Sequence, residues 1–177
     1  MDIYSIGHST HSKQEFLSIL HYFCIKVLVD VRSYPGSRHV PHFSKQSMPF
    51  WLNEQGISYV HIPKLGGRRR KGQLQDSSLI AGWDNEAFKN YSAYTLSDEY
   101  EQGLLELLNI AKDKQACIMC AESVPWRCHR MLISNSLVVR GAHVLHIMDK
   151  YKVEEHQLDK YGAKTSIQGE RIIYPKI

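Results

Sequence analysis

The chain has 177 residues, of which 43% are hydrophobic and 23% charged, a composition that excludes a generally disordered protein. One domain of this length buries enough apolar surface to need no disulfide bonds, so we expect the four cysteines to be reduced thiols. The first residues show no signal-peptide pattern, and no apolar run is long enough to cross a bilayer. We therefore expect a cytoplasmic protein that has no membrane partner.

The net charge of +4 is unevenly distributed along the chain. Between residues 31 and 71 there are eight basic side chains and a single acidic one, Glu54. A domain polarised in this way attracts anions. This distribution favours a phosphate-bearing small molecule or a nucleic acid as the partner, although a set of solvated loops would have the same composition.

Strand and helix patterns alternate along the chain. Short apolar runs predict five strands, over residues 3–6, 27–31, 57–62, 116–119 and 143–147. Capping residues and apolar periodicity predict helices after Ser12 and Asp98 and over residues 46–55, 86–93 and 127–140.

This alternation predicts an α/β fold with one domain over residues 1–149. Its mostly parallel sheet has about five strands and carries helices on both faces, a Rossmann-like three-layer arrangement. Residues 150–177 are polar and weakly patterned, and we expect them to pack on this domain or to trail from it.

Polar side chains follow four of the predicted strands, at the edge where ligands bind in parallel sheets. These residues are His8 and Ser9 after the first strand, Asp30 and Arg32 at the second, Gly66 and Gly67 after the third, and Cys120 and Glu122 after the fourth. We expect them to line one polar cleft.

Three of these side chains are the candidates for catalysis. Histidine titrates near neutral pH, and carboxylates exchange protons with substrates, so His8 and Glu122 suit acid–base roles. Cys120 is the candidate thiol.

The candidate substrate- and anion-binding residues are polar or charged side chains, or glycines in the basic loop. They are Ser9, Asp30, Arg32, Ser37, Arg38, Tyr59, Gly66, Gly67, Arg68, Cys128, His129 and Arg130. We expect a phosphate to lie against Arg32, Arg38 and the start of the helix predicted over residues 127–140. Aromatic rings interleaved with the basic residues, such as Tyr34, suit nucleotides.

The segment over residues 120–130 permits three chemical interpretations. The first is a thiol nucleophile in an anion cradle, but six residues separate Cys120 from Arg127, whereas phosphatases and rhodaneses have five. The second is a divalent metal bound by Cys120, Cys128 and His129. The third is a hydrogen-bonded pocket in which Glu122 orients an arginine for a phosphate or a base edge. No cofactor is predicted, and a divalent metal is the one alternative.

Several of these segments together resemble the prokaryotic family called domain of unknown function 488. The matching pieces include Tyr4-Ser-Ile-Gly-His-Ser9, Asp30-Val-Arg32, Leu65-Gly-Gly67, Cys120-Ala-Glu122 and Cys128-His-Arg130. The resemblance extends over roughly residues 1–149. It implies a compact α/β fold with a polar cleft lined by these segments, and it implies no reaction.

Three functions follow from the sequence. The leading hypothesis is an enzyme or binding protein for a phosphate-bearing substrate, with a nucleotide or nucleic acid favoured. The alternatives are a metal-binding protein or metal-dependent hydrolase using Cys120, Cys128 and His129, and a non-catalytic interaction module. The sequence does not decide whether the protein is an enzyme, nor its oligomeric state.

Overall fold

A computed structural model of the chain describes residues 1–72 and 74–177. The strands are β1 (Asp2–Gly7), β2 (Val27–Asp30), β3 (Ser58–His61), β4 (Ala116–Cys120), β5 (His143–Asp149), β6 (Lys152–Glu155), β7 (Ser166–Gln168) and β8 (Arg171–Ile173). The helices are α1 (Lys13–Tyr22), α2 (Met48–Asn53), α3 (Glu86–Tyr94), α4 (Asp98–Asp113) and α5 (Arg130–Val139). No helix in this part of the chain is long and apolar enough to cross a membrane.

The main sheet has six strands in the order β3-β2-β4-β1-β5-β6. The first five strands of this order are parallel, and β6 pairs with β5 in the antiparallel direction. The predicted α/β fold with a mostly parallel sheet is therefore confirmed. The sixth strand was not predicted because the mostly exposed residues of β6 form no apolar run.

Successive side chains of the central strands enter two different cores, one on each face of the sheet. In β4, Ile118 and Cys120 pack into the core that contains α4 and α5, whereas Cys117 and Met119 pack against α1 and α2. This alternation is what a strand covered on both faces requires. Helices thus cover both faces of the sheet, and Cys117 is a core residue.

The chain changes direction across the sheet between β1 and β4. From β1 it continues through α1 to β2, on one side of this pair, and from β4 it continues through α5 to β5, on the other side. A crevice opens at such a point because the two connections leave in opposite directions. Gly7 lies opposite Cys120 and Asp30 lies opposite Met119, so the three strands end at one level.

The helix predicted over residues 127–140 begins later, at Arg130. Pro125–Arg127 forms a 3₁₀ turn, and Cys128 has the extended backbone angles φ −140° and ψ 151°. His129 is the residue that precedes the helix. As a result, Cys128 and His129 precede α5, and Arg130 is its first residue.

The segment after Asp149 packs on the same sheet and core. Strand β6 extends the sheet, and Tyr174 is buried beside α5, where Asn135 Nδ2 donates to its hydroxyl at 2.9 Å. His156 Nε2 lies 2.7 Å from Asn135 Oδ1, and His156 Nδ1 lies 2.9 Å from His146 Nε2. A continuous buried hydrogen-bond chain therefore joins β5, α5 and the last residues.

Candidate functional site

A cleft of about 580 Å³ opens at the carboxyl ends of β1, β2 and β4. This volume lies in the range of sites for small molecules. The candidate residues that line it are His8, Arg32, Ser37, Gly67, Arg68, Cys120, Glu122, Cys128 and His129. Because the strand ends are level, side chains distant in the sequence meet at one site.

The other candidate residues do not line this cleft. They are Ser9, Asp30, Arg38, Tyr59, Gly66 and Arg130. Asp30, Gly66 and Arg130 are buried. Arg38 is exposed and follows Ser37, which lines the cleft, but Arg38 is not itself a lining residue.

The buried carboxylate of Asp30 holds Arg32 in a two-pronged ion pair. Arg32 Nε donates to Asp30 Oδ1 at 2.9 Å, and Arg32 Nη2 donates to Asp30 Oδ2 at 2.7 Å. The Tyr59 hydroxyl donates to the same Oδ2 at 2.5 Å, and burial next to this carboxylate raises the pKa of Tyr59. Such a bidentate pair fixes the orientation of the guanidinium and neutralises most of its charge.

Both ring nitrogens of His8 are occupied. Arg32 Nη1 lies 3.2 Å from His8 Nε2 and can only donate, so Nε2 accepts and the proton is on Nδ1. Nδ1 donates to the Ser9 carbonyl at 2.8 Å, and the ring stacks on Phe43. Burial, with the charge of Arg32, lowers the pKa of His8 to about 4. His8 is thus a neutral, fixed ring at the floor of the cleft.

Arg130 lies under the cleft, where its guanidinium joins three segments. Its Nε donates to Cys120 Sγ at 2.9 Å, Nη1 to Ser5 Oγ at 2.9 Å, and Nη2 to the Glu122 carbonyl at 2.6 Å. It is 1% exposed. Arg130 therefore fixes the loop after β4 from below, and it does so through main-chain and thiol acceptors rather than a carboxylate.

The thiols of Cys120 and Cys128 lie 2.8 Å apart at the wall of the cleft. Burial raises the pKa of Cys128, but the hydrogen bond from Cys120 and the charge and backbone N–H of Arg130 outweigh it, and the pKa falls to about 7. Burial raises the pKa of Cys120 well above its usual value. The sequence prediction named Cys120 as the candidate thiol; the structure pairs it with Cys128, whose sulfur is the one beside His129 Nδ1.

His129 is oriented by the end of β2. Its Nε2 donates to the Val31 carbonyl at 2.6 Å, which leaves Nδ1 as an acceptor 3.5 Å from Cys128 Sγ. Burial lowers the pKa of His129, so the ring is a neutral acceptor for the thiol proton.

Two glycines permit close packing around these residues. A Cβ atom on Gly7 would overlap the Glu122 carbonyl that accepts from Arg130, and a Cβ atom on Gly67 would overlap the His129 ring. Gly67, which the sequence placed in a basic loop, thus allows that loop to pack against the Cys-His segment.

Several residues that line the cleft were not among the candidates from the sequence. They are Ser33, Tyr34, Gly36, Asn85, Ala87, Phe88, Tyr91, Ala121, Trp126 and Arg127. The sequence indicates Tyr34 as a stacking surface, and the adjacent aromatic and basic residues Trp126 and Arg127 are a signal within the Cys-rich segment. Nothing in the sequence indicated that residues of α3 line the cleft, because only the tertiary fold brings them there.

The residues proposed for a metal do not form a metal site. In the part of the chain that the structure describes, no group of three or more His, Cys, Asp or Glu side chains could hold a metal ion. Arg130 Nε and Cys128 Sγ both contact Cys120 Sγ, so neighbouring groups occupy the directions from which a cation would bind. The donor set therefore does not fit the alternative of a divalent metal.

Comparison with known proteins identifies a family. A family model described as Domain of unknown function DUF488 matches residues 12–137. No curated protein and no solved structure matches the chain significantly. The matched residues include Arg32, Gly67 and the segment from Cys120 to Arg130.

Proposed function

The chain belongs to the DUF488 family, and we propose that it binds a nucleotide, free or within a single strand, in the cleft between β1, β2 and β4. The observation that carries this proposal is a pair of exposed arginines, Arg68 and Arg127, which line the cleft. Neither forms an ion pair with a carboxylate within residues 1–72 and 74–177.

A phosphate is the anion that suits these two guanidinium groups. Exposed arginines without a carboxylate partner bind phosphates through charge-assisted, bidentate hydrogen bonds. Arg32 also lines the cleft, but Asp30 already neutralises its charge. We therefore place the phosphate at the rim, against Arg68 and Arg127, and not at the floor.

Aromatic rings on the wall of the cleft support a base as the second part of the ligand. Tyr34 is 76% exposed, and Phe88 and Trp126 are partly exposed there. The guanidinium of Arg68 lies 5.8 Å from the centre of the Tyr34 ring, so a phosphate site and a stacking site are adjacent. Stacking of a base on such a ring contributes roughly 1–3 kcal/mol.

Glu122 is the acid–base group that we assign to this cleft. Its side chain is exposed in the cleft and forms no ion pair in the described part of the chain. His8 is a weaker candidate for proton transfer than the sequence suggested, because Arg32 and the Ser9 carbonyl occupy both of its nitrogens.

The basic run after the paired glycines is not a uniform cationic arm. The Arg69 guanidinium lies 3.6 Å from the centre of the Tyr94 ring and donates to the carbonyls of Gly66 and Pro63. Arg69 thus has a structural role, which weakens the alternative of a module that docks through the whole run. Arg70 is exposed and does not line the cleft, so it is the matched control for Arg68.

The proposal is tested by fluorescence anisotropy with labelled single-stranded DNA and RNA over a salt series. We expect Arg68→Ala and Arg127→Ala each to weaken binding about tenfold and to lower the salt slope by about 1. Arg70→Ala should bind like the unchanged protein, because it lacks only a charge outside the cleft.

Competition with unlabelled mononucleotides distinguishes binding in the cleft from nonspecific binding to the charged surface. Displacement of the labelled strand by a mononucleotide, but not by the same concentration of chloride, supports the cleft. Equal losses in all three arginine variants, or no binding at low salt, would contradict the proposal.

A further inference from the structure

Arg130 is a buried cation without a carboxylate partner in the part of the chain that the structure describes. Its side chain is 1% exposed, and its neutral acceptors are the Ser5 hydroxyl and the Glu122 carbonyl. An isolated buried charge costs several kcal/mol unless an opposite charge lies beside it. A negative charge close to this guanidinium would therefore stabilise the folded protein.

The two thiols beside Arg130 are the groups that can supply this anion. Cys120 Sγ accepts from Arg130 Nε at 2.9 Å, and Cys128 Sγ accepts from the Arg130 backbone N–H at 3.4 Å. The two sulfur atoms lie 2.8 Å apart, which is shorter than their van der Waals contact but longer than the S–S bond of a disulfide. One negative charge on the pair then balances the buried arginine.

We propose that Cys120 and Cys128 form a dithiol site at the wall of the cleft that a hydroperoxide oxidises to a disulfide. Both sulfurs belong to residues that line the cleft, so a small oxidant reaches them although the residues are only 3% and 5% exposed. A disulfide needs the sulfur atoms to move about 0.8 Å closer together.

Cys128 is the sulfur that attacks, because His129 Nδ1 lies 3.5 Å from it and can accept its proton. Its thiolate attacks the terminal oxygen of the peroxide: an S–O bond forms, the O–O bond breaks, and the alkoxide or hydroxide that leaves takes up a proton. Cys120 then attacks the sulfur of the sulfenic acid, the S–S bond forms, and water leaves with the proton of Cys120. Two thiols are oxidised by two electrons in total, and the peroxide is reduced to an alcohol, or to water, plus one further water.

The other two cysteines provide controls within the same chain. Cys24 is exposed on the surface, and Cys117 is buried in the core on the opposite face of the sheet. If accessibility alone decided oxidation, Cys24 would react first. The proposal requires the buried pair to react before the exposed thiol, because the thiolate and the neighbouring thiol outweigh exposure.

To test this, the reduced, full-length protein is treated with a small excess of hydrogen peroxide. Its intact mass is measured, and its free thiols are counted after unfolding. We expect the loss of two of the four thiols, a mass lower by two hydrogens, and a peptide map that links Cys120 to Cys128. Cys24→Ser should lose two of its three thiols and give the same link between Cys120 and Cys128.

Two variants assign the order of the steps. Cys120→Ser should stop at a sulfenic acid on Cys128 that dimedone captures, whereas Cys128→Ser should give no dimedone adduct at Cys120. Circular dichroism shows whether both variants are folded. The thiol count and the peptide map of the unchanged protein test the disulfide without these variants. Four free thiols after treatment, or oxidation confined to Cys24, would overturn the proposal.

Discussion

Asp30 is the residue on which the floor of the site depends most. It is fully buried and accepts hydrogen bonds from the backbone and side chain of Arg32 and from Tyr59. The sequence predicted that Asp30 and Arg32 lie together at the end of the second strand. It did not show that Tyr59 and the Phe43 carbonyl complete the network, because those partners come from distant segments.

Asp30→Asn removes the charge that balances the buried Arg32. We expect the free energy of unfolding to fall by about 3 kcal/mol, since a buried cation is left without its partner. Urea unfolding measures this difference. The exposed pair of His11 and Glu15 is the comparison: Glu15→Gln should cost less than about 1 kcal/mol. Equal costs for both substitutions would contradict the role of Asp30.

At the scale of elements, the last residues of the chain are tied to the sheet by polar groups as well as by packing. Asn135 of α5 contacts both His156 and Tyr174, so this helix connects the cleft side of the domain to the C-terminal segment. The sequence left open whether residues 150–177 pack on the domain or trail from it, since no apolar periodicity marks them. A buried hydrogen-bond chain leaves no such pattern.

Tyr174→Phe leaves the amide of Asn135 without an acceptor in a buried position. We expect a loss of about 1–3 kcal/mol in the free energy of unfolding, the cost of an unsatisfied buried donor. Tyr151→Phe removes an exposed hydroxyl and should change stability by less than about 0.5 kcal/mol. Thermal and urea unfolding of both variants would show whether the hydrogen bond between Asn135 and Tyr174 stabilises the fold. Identical stabilities of the two variants would contradict this role.

For the whole molecule, the sequence predicted the architecture better than the site. Apolar strands and capped helices are local signals, so the α/β fold could be predicted. The cleft combines Phe88 of α3, Trp126 and Arg127 of a 3₁₀ turn, and Arg68 of a loop, and only the tertiary fold brings them together. Strand-end position did identify His8, Arg32, Cys120 and Glu122, because the topology of parallel sheets places such residues at one edge.

The stability of the whole domain should depend on three buried histidines. Burial lowers the pKa of His8 and His156 from 6.5 to about 4 and that of His146 to about 3. The charge of Arg32 also lowers the pKa of His8, and the charge of Lys160 also lowers the pKa of His146 and His156. Glu154 opposes this shift at His156. Between pH 6.5 and about 4 the unfolded chain binds more protons at these residues than the folded one, so stability falls as the pH falls through this window.

We expect each of these histidines to contribute a slope of up to about 1.4 kcal/mol per pH unit. Urea midpoints measured between about pH 7 and about pH 5 test this. Replacement of the exposed His39 by Gln should leave the slope unchanged. A free energy of unfolding that is flat across this range would show that the three rings are not held neutral by folding.

The central claim is that a phosphate-bearing nucleotide binds at Arg68 and Arg127, and NMR of the arginine side chains tests it most directly. The Nε–H signals of an isotope-labelled sample would be followed while a mononucleotide is added, together with the indole N–H of Trp126. We predict that the signals of Arg68, Arg127 and Trp126 shift and saturate together, while those of Arg38 and Arg70 stay in place. Shifts centred on Arg38 and Arg70, or no shifts at saturating nucleotide, would contradict the account.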